Sequence, residues 1–111
     1  MIQWPEGDSK DGGQGQDVDG LQCGQMDETY HVHSHLSVFL NGEQLVVPSH
    51  VGIVEKTDGT ECVYSLHTHD PGGRIHIEAP QPATFTLGQF FDIFGYPLDR
   101  TNVGGIVGLP V

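Results

Sequence analysis

Six of the seven histidines in this 111-residue chain fall in two short segments. Three alternate along residues 31–35, and three more lie at positions 67, 69 and 76 around a turn. Imidazole nitrogen suits Cu, Zn, Ni and Fe in their divalent states. Histidines at i and i+2 of a strand project from one face about 6 to 7 Å apart at Cα, so their ring nitrogens can reach one ion. The spacing therefore predicts a transition-metal site.

The second histidine segment predicts a β-hairpin. Two alternating runs, 63–69 and 74–78, flank the turn Asp70-Pro71-Gly72-Gly73, whose residue types favour chain reversal. With that turn as the loop, His67 opposes His76. A slip of one residue would mix the apolar and polar faces, so the pattern supports this register. The polar face then carries Ser65, His67, His69, Arg74, His76 and Glu78.

The first histidine segment predicts a single strand over residues 31–40, with its even-numbered positions on a core face. Asn41-Gly42 follows, which is a strong signal for a two-residue hairpin turn. The returning strand, 43–47, would place Val38 opposite Leu45 and Leu36 opposite Val47. We expect the first histidine strand to lie beside the second histidine segment.

The chemistry favours Cu(II) or Zn(II), because the histidines have no nearby Met or thiolate in the sequence, and those ligands would favour Cu(I) or a blue-copper site. Glu78, and less favourably Asp70, could be a ligand or could accept a hydrogen bond that fixes a ligand tautomer. His50 has no second histidine at strand spacing, so we expect it to be structural or solvated. The expected ligands are His33, His35, His67, His69 and His76, followed by His31 and Glu78.

Cys23 and Cys62 are 39 positions apart and form no CxxC motif. They could form a disulfide, remain free thiols or bind metal. We favour the disulfide, because neither cysteine has the spacing of a paired thiolate site. A disulfide indicates a secreted, periplasmic or cell-envelope protein. The N-terminus lacks the basic and apolar regions of a signal peptide, so this prediction rests on the cysteines.

The formal net charge of −11 suits a protein that attracts cations and argues against nucleic acid and anionic membranes as partners. No apolar run is long enough to cross a bilayer, so membrane insertion is not expected. Residues 1–28 are acidic and glycine-rich, which predicts a flexible segment unless Trp4 or Cys23 anchors it. Residues 29–111 are expected to form a single histidine-rich β domain.

The C-terminal part of the chain predicts one short helix and a final strand. Thr86 and Gln89 have the spacing of a capping box, and Gly95 lies where a C-terminal glycine is expected. The tail to Val111 predicts an irregular, unpaired strand through which copies of the chain could self-associate. The expected fold is mainly β, a β-sandwich or partly open barrel of antiparallel hairpins with one short α-helix at an end.

The leading functional hypothesis is a metal-binding protein for capture, delivery or storage. One alternative is a metal-dependent enzyme, in which three histidines leave an open position and Glu78 acts as general base. The paired histidines invite comparison with cupins, but the expected glutamate does not follow His35 or His69. Two further alternatives are a structural or assembly subunit of an extracellular polymer and a pH-responsive histidine surface without metal.

Taken together, the ordered motifs resemble a family of small bacterial and archaeal envelope or secreted proteins. The resemblance covers residues 31 to about 95 and implies an extracytoplasmic setting and a role for the histidines. Relatives of this kind continue into further strands, so it also implies that the chain is incomplete after Val111. The motifs are His31–Leu36, Asn41-Gly42, Val51-Gly52-Ile53, His67–Asp70, Gly73, Ile75–Glu78 and Leu87–Phe91.

Overall fold

Nine short strands and one helix form the fold, as seen in a computed structural model that describes residues 4–99 and 101–107. The elements are β1 (Tyr30–His35), β2 (Val38–Leu40), β3 (Glu43–Leu45), β4 (Ile53–Glu55), β5 (Glu61–Val63), β6 (Leu66–His67), β7 (Arg74–Ala79), α1 (Leu87–Phe94), β8 (Asn102–Val103) and β9 (Ile106–Val107). The central sheet has three antiparallel strands in the order β1-β7-β6, and the other described strands form three two-stranded ribbons, β2-β3, β4-β5 and β8-β9.

The predicted register of the histidine hairpin is confirmed where β6 and β7 pair. His67 lies opposite His76, and Leu66 lies opposite Ile77. The ladder is shorter than predicted, because β6 has only two residues. Beyond it the backbone of Glu78 still donates a hydrogen bond to the Ser65 carbonyl at 2.9 Å. β1 pairs with the other edge of β7, so the two histidine segments are neighbours as expected.

The prediction of one continuous strand over residues 31–40 is wrong. The chain leaves β7 at Leu36, whose N–H donates to the Gly73 carbonyl at 2.8 Å, and β2 then pairs with β3 instead. Gly73 has a φ of +99°, and a Cβ at this position would overlap the Leu36 carbonyl oxygen. The turn glycine therefore fixes where β1 ends.

Other details of this segment also differ from the sequence prediction. Val38 pairs with Leu45 as predicted, but Leu36 and Val47 are not in the ladder. The even-numbered positions Val32 and Ser34 are exposed rather than buried. Because β1 is an edge strand with little packed beneath it, alternation there does not produce a buried face.

The helix α1 supplies the aromatic centre of the core. Its N-terminus carries the predicted capping box between Thr86 and Gln89, and Gly95 ends it in a left-handed conformation. The side chains of Phe90, Phe91, Ile93 and Phe94 are buried, whereas Leu87 at the start of the helix is 44% exposed.

Much of the N-terminal segment packs on this core, as expected if Trp4 and Cys23 anchor it. The Trp4 ring packs edge-to-face against the Phe94 ring. The Nε1–H of Trp4 donates a hydrogen bond to the Gly104 carbonyl at 2.9 Å. The Tyr64 hydroxyl donates to the Gln16 carbonyl. The predicted disulfide joins Cys23 to Cys62 on β5. The division of the chain at residue 28 stays a prediction.

The fold class predicted from the sequence is confirmed as mainly β, antiparallel and sandwich-like with one short helix. The described strands form no closed barrel. The predicted C-terminal strand is in part the hairpin β8-β9, and its last residues, 108–111, lie outside the described residues. Within the described ranges no helix has the length and apolar character needed to cross a bilayer.

Replacing Cys23 and Cys62 together with alanine should lower the free energy of unfolding by about 2–4 kcal/mol, because the crosslink closes a long loop. Urea unfolding of the metal-free protein measures this loss. Chemical reduction of the unmodified protein is the matched control and should give a similar loss. Equal stability with and without the bond would contradict the anchoring role.

Gly73→Ala should destabilise the protein more than Gly72→Ala. Both glycines have positive φ, so either change carries backbone strain of about 1–3 kcal/mol. Only the Cβ at residue 73 also meets the Leu36 carbonyl, whereas the space around Gly72 is open. Equal midpoints of urea unfolding for the two variants would show that this close approach is unimportant.

Candidate metal centre

The middle strand β7 places histidines from three strands on one face of the sheet. His76 lies opposite His33 on one side and opposite His67 on the other. Glu78 lies opposite His31. Directly opposed residues of paired strands project to the same face, so these five side chains share one surface.

A first group of potential ligands combines three histidines with one carboxylate. Each can offer one ligand atom such that all four atoms lie within 4.8 Å of one another. The group ranges from fully buried to exposed: His67 has 0% and Glu78 4% relative exposure, His76 is half-buried, and His69 is exposed. A metal ion at this position would be partly enclosed by the protein. The members are His67, His69, His76 and Glu78.

The ring of His67 is fixed by its two hydrogen-bonding neighbours. Its Nδ1 lies 2.8 Å from the Tyr64 carbonyl oxygen. Because a carbonyl only accepts, Nδ1 must carry a proton and donate it. In the neutral ring Nε2 then carries a lone pair and can only accept a hydrogen bond. It lies 3.1 Å from Glu78 Oε1, which in the carboxylate is also an acceptor. This contact requires either a proton or a cation between the two atoms.

Burial is the main reason that the pKa of His67 is lowered, and the nearby Glu78 and Tyr64 only partly oppose it. Placing the proton on Nε2 is therefore unfavourable. The other oxygen of Glu78, Oε2, is buried without a hydrogen-bond partner among the described residues. Metal–ligand distances of about 2.0–2.2 Å separate adjacent ligand atoms by roughly 3–3.4 Å, so the His67–Glu78 spacing fits a bound divalent cation.

A second group, consisting of His31, His33 and His76, also has its potential ligand atoms within 4.8 Å. The Nε2 of His33 lies 3.1 Å from Nδ1 of His76. The His31 ring centre lies 4.8 Å from that of His33. Glu28 adds a carboxylate beside this group, because potential ligand atoms of Glu28, His31 and Glu78 also lie within 4.8 Å of one another.

Three other polar residues considered from the sequence lie outside these groups. His35 pairs with Arg74, whose positive charge disfavours a cation at that end of the face, and its Nδ1 lies 3.2 Å from Ser37 Oγ. Asp70 is exposed in the turn. His50 Nδ1 lies 3.1 Å from Glu6 Oε1.

An open cleft of about 490 Å³ lies beside the first group, with His67 and Glu78 in its wall. Residues of the N-terminal segment, among them Met26 and Asp27, also line this cleft. Sequence reasoning placed no methionine near the histidines. The disulfide was the available signal, because Met26 is only three residues after Cys23.

Metal-free protein should lose stability as the pH falls from about 6.5 towards 4. Burial, assisted by the neighbouring histidines, lowers the pKa of His76 from 6.5 to about 4. Within that window the unfolded chain binds a proton at this residue that the folded chain does not, so acid favours unfolding. Urea unfolding across the range measures the effect.

His76→Gln is the matched variant for this pH dependence. It should flatten the pH dependence without abolishing it, because the pKa of His67 is lowered in the same direction. An unchanged slope would show that His76 is not held neutral.

Comparisons with family models, with curated proteins and with solved structures found no match to this chain. The candidate centre therefore rests on the geometry of its own side chains.

Proposed function

We propose that the protein binds a divalent transition-metal ion, Cu(II) or Zn(II), through His67, His69, His76 and Glu78. The observation that carries this proposal is the contact between His67 Nε2 and Glu78 Oε1 at 3.1 Å, with Nδ1 of the same ring engaged by a backbone carbonyl. That second contact is the usual support for a metal-bound histidine, because it fixes the tautomer and the ring orientation. Three imidazoles and a carboxylate suit Cu(II) and Zn(II).

Capture or delivery fits the arrangement better than a closed structural site. Two ligands are buried and hold their geometry, while His69 is exposed and an open cleft lies beside His67 and Glu78. An ion held this way can exchange with solvent or with another ligand. The net charge of −11 raises the local concentration of cations.

We place this activity outside the cytoplasm. The disulfide between Cys23 and Cys62 supports this setting, because such bonds persist in oxidising compartments. The motif resemblance to envelope and secreted proteins supports the same location.

The position of Glu78 favours metal binding over catalysis. A general base acts beside the metal, whereas Oε1 of this carboxylate lies within the ligand group, against His67 Nε2. Its buried position and close contact make it a ligand in the proposed complex.

The double variant His67→Ala with His69→Ala should lose the tightest-bound ion. Elemental mass spectrometry of protein purified without affinity tag or chelator measures the metal, and calorimetric titration of metal-free protein with Cu(II) or Zn(II) measures the affinity. Loss of a residue that only hydrogen-bonds a metal ligand lowers metal affinity roughly 10- to 100-fold. Because Glu78 is a ligand in the proposed complex, Glu78→Gln should lower the affinity by at least that much.

His35→Ala and His50→Ala are the matched controls, because each removes a histidine that lies outside both groups. They should bind the tightest ion like the unmodified protein. The proposal fails if the unmodified protein takes up neither metal, or if the His67 and His69 double variant binds its tightest ion with unchanged affinity.

A further inference from the structure

We propose that the same face binds a second divalent ion through His31, His33 and His76, so that the filled site is a binuclear centre. This inference rests on the proposed function, because it assigns the first ion to His67, His69 and Glu78. Both ions would lie on the same face of the sheet, one towards β6 and the other towards β1, with β7 between them.

Six side chains on this face divide into two sets of three. His76 belongs to both groups of potential ligands, and Glu78 belongs to the first group and to the set with Glu28 and His31. With one ion bound, His76 is free to complete the first group. With two ions bound, Glu78 serves the first ion and His76 serves the second, which leaves three protein ligands for each.

The second set has the ligand spacing that an ion requires. His33 Nε2 and His76 Nδ1 are 3.1 Å apart, and adjacent ligands of a transition metal are separated by roughly 3–3.4 Å. The ring of His31 completes the set, with its centre 5.8 Å from that of His76. A hydrogen bond between neutral His33 and His76 is the competing explanation for the short contact, and it involves no role for His31.

Charge around the face favours two cations in this place. The two positions are about one strand spacing apart, roughly 5 Å, so the ions would repel each other. Glu78 Oε1 offsets this repulsion, because it lies 3.1 Å from His67 Nε2 and 3.6 Å from His31 Nε2 and so stands between the two sets. Glu28 adds a second carboxylate beside His31.

The second ion should bind more weakly than the first. His31 and His33 are exposed, whereas His67 and Glu78 are buried. The second ion must also take His76 from the first. The two binding steps should therefore be separable in a titration.

Metal-free protein titrated with Cu(II) should take up two ions per chain in two steps. Calorimetry gives the stoichiometry, and electron paramagnetic resonance of the product should show spin–spin coupling between two nearby Cu(II) ions. Half-loaded protein should show an uncoupled spectrum.

His31→Ala with His33→Ala should reduce the capacity to one uncoupled Cu(II) and leave the first, tighter step in place. These side chains are exposed, so their removal should leave the fold intact, which circular dichroism checks. His35→Ala, on the same strand and the same face, is the matched control and should retain two coupled ions. His67→Ala with His69→Ala should keep only the weaker ion, without coupling.

Uptake of a single ion by the unmodified protein would overturn the binuclear centre while leaving the proposed function intact. Two ions without spin coupling, or two ions retained after loss of His31 and His33, would also overturn it. No uptake at all would overturn the proposed function as well.

Discussion

The middle position of β7 is the constraint on which the rest of the face depends. A strand with partners on both edges fixes its residues against two neighbours at once, so His76 meets His33 and His67 without any flexible element between them. The period of two then keeps Ile75 and Ile77 on the opposite side of the sheet, where Ile75 is buried. One ladder therefore fixes both the core and the polar surface.

The His67–Glu78 pair shows how binding and stability are linked. Burying a carboxylate oxygen without a partner costs free energy, and the lowered pKa of His67 prevents the ring from supplying a full countercharge. A cation bound in the proposed site would remove that cost in the folded state only. At an ion concentration of 1,000 times the Kd, binding adds about 4 kcal/mol to the free energy of unfolding. A bound metal ion would thus make this arrangement of buried groups favourable.

Local patterns in the sequence predicted the local parts of the structure. The register of His67 with His76, the capping box at Thr86 and the pairing of Val38 with Leu45 all depend on residues close together in the chain. The adjacency of the two histidine segments was expected, but the register that pairs His33 with His76 was beyond the same reasoning, because tertiary packing sets how two distant strands align. The end of β1 after His35 was missed for a similar reason, since it depends on a contact between Leu36 and Gly73.

The edge position of β1 has a consequence for local unfolding. This strand pairs on one side only, with β7, and its residues from His31 to His35 are exposed, so little buried surface opposes its release. Segments of this kind open at low free energy while the rest of a protein stays folded, and their amide hydrogens exchange early. Ligands that contact β1 must offset the conformational entropy of holding it in place. The protein therefore combines a buried half of the face, on β6 and β7, with an exposed half on β1 whose order a bound ligand would increase.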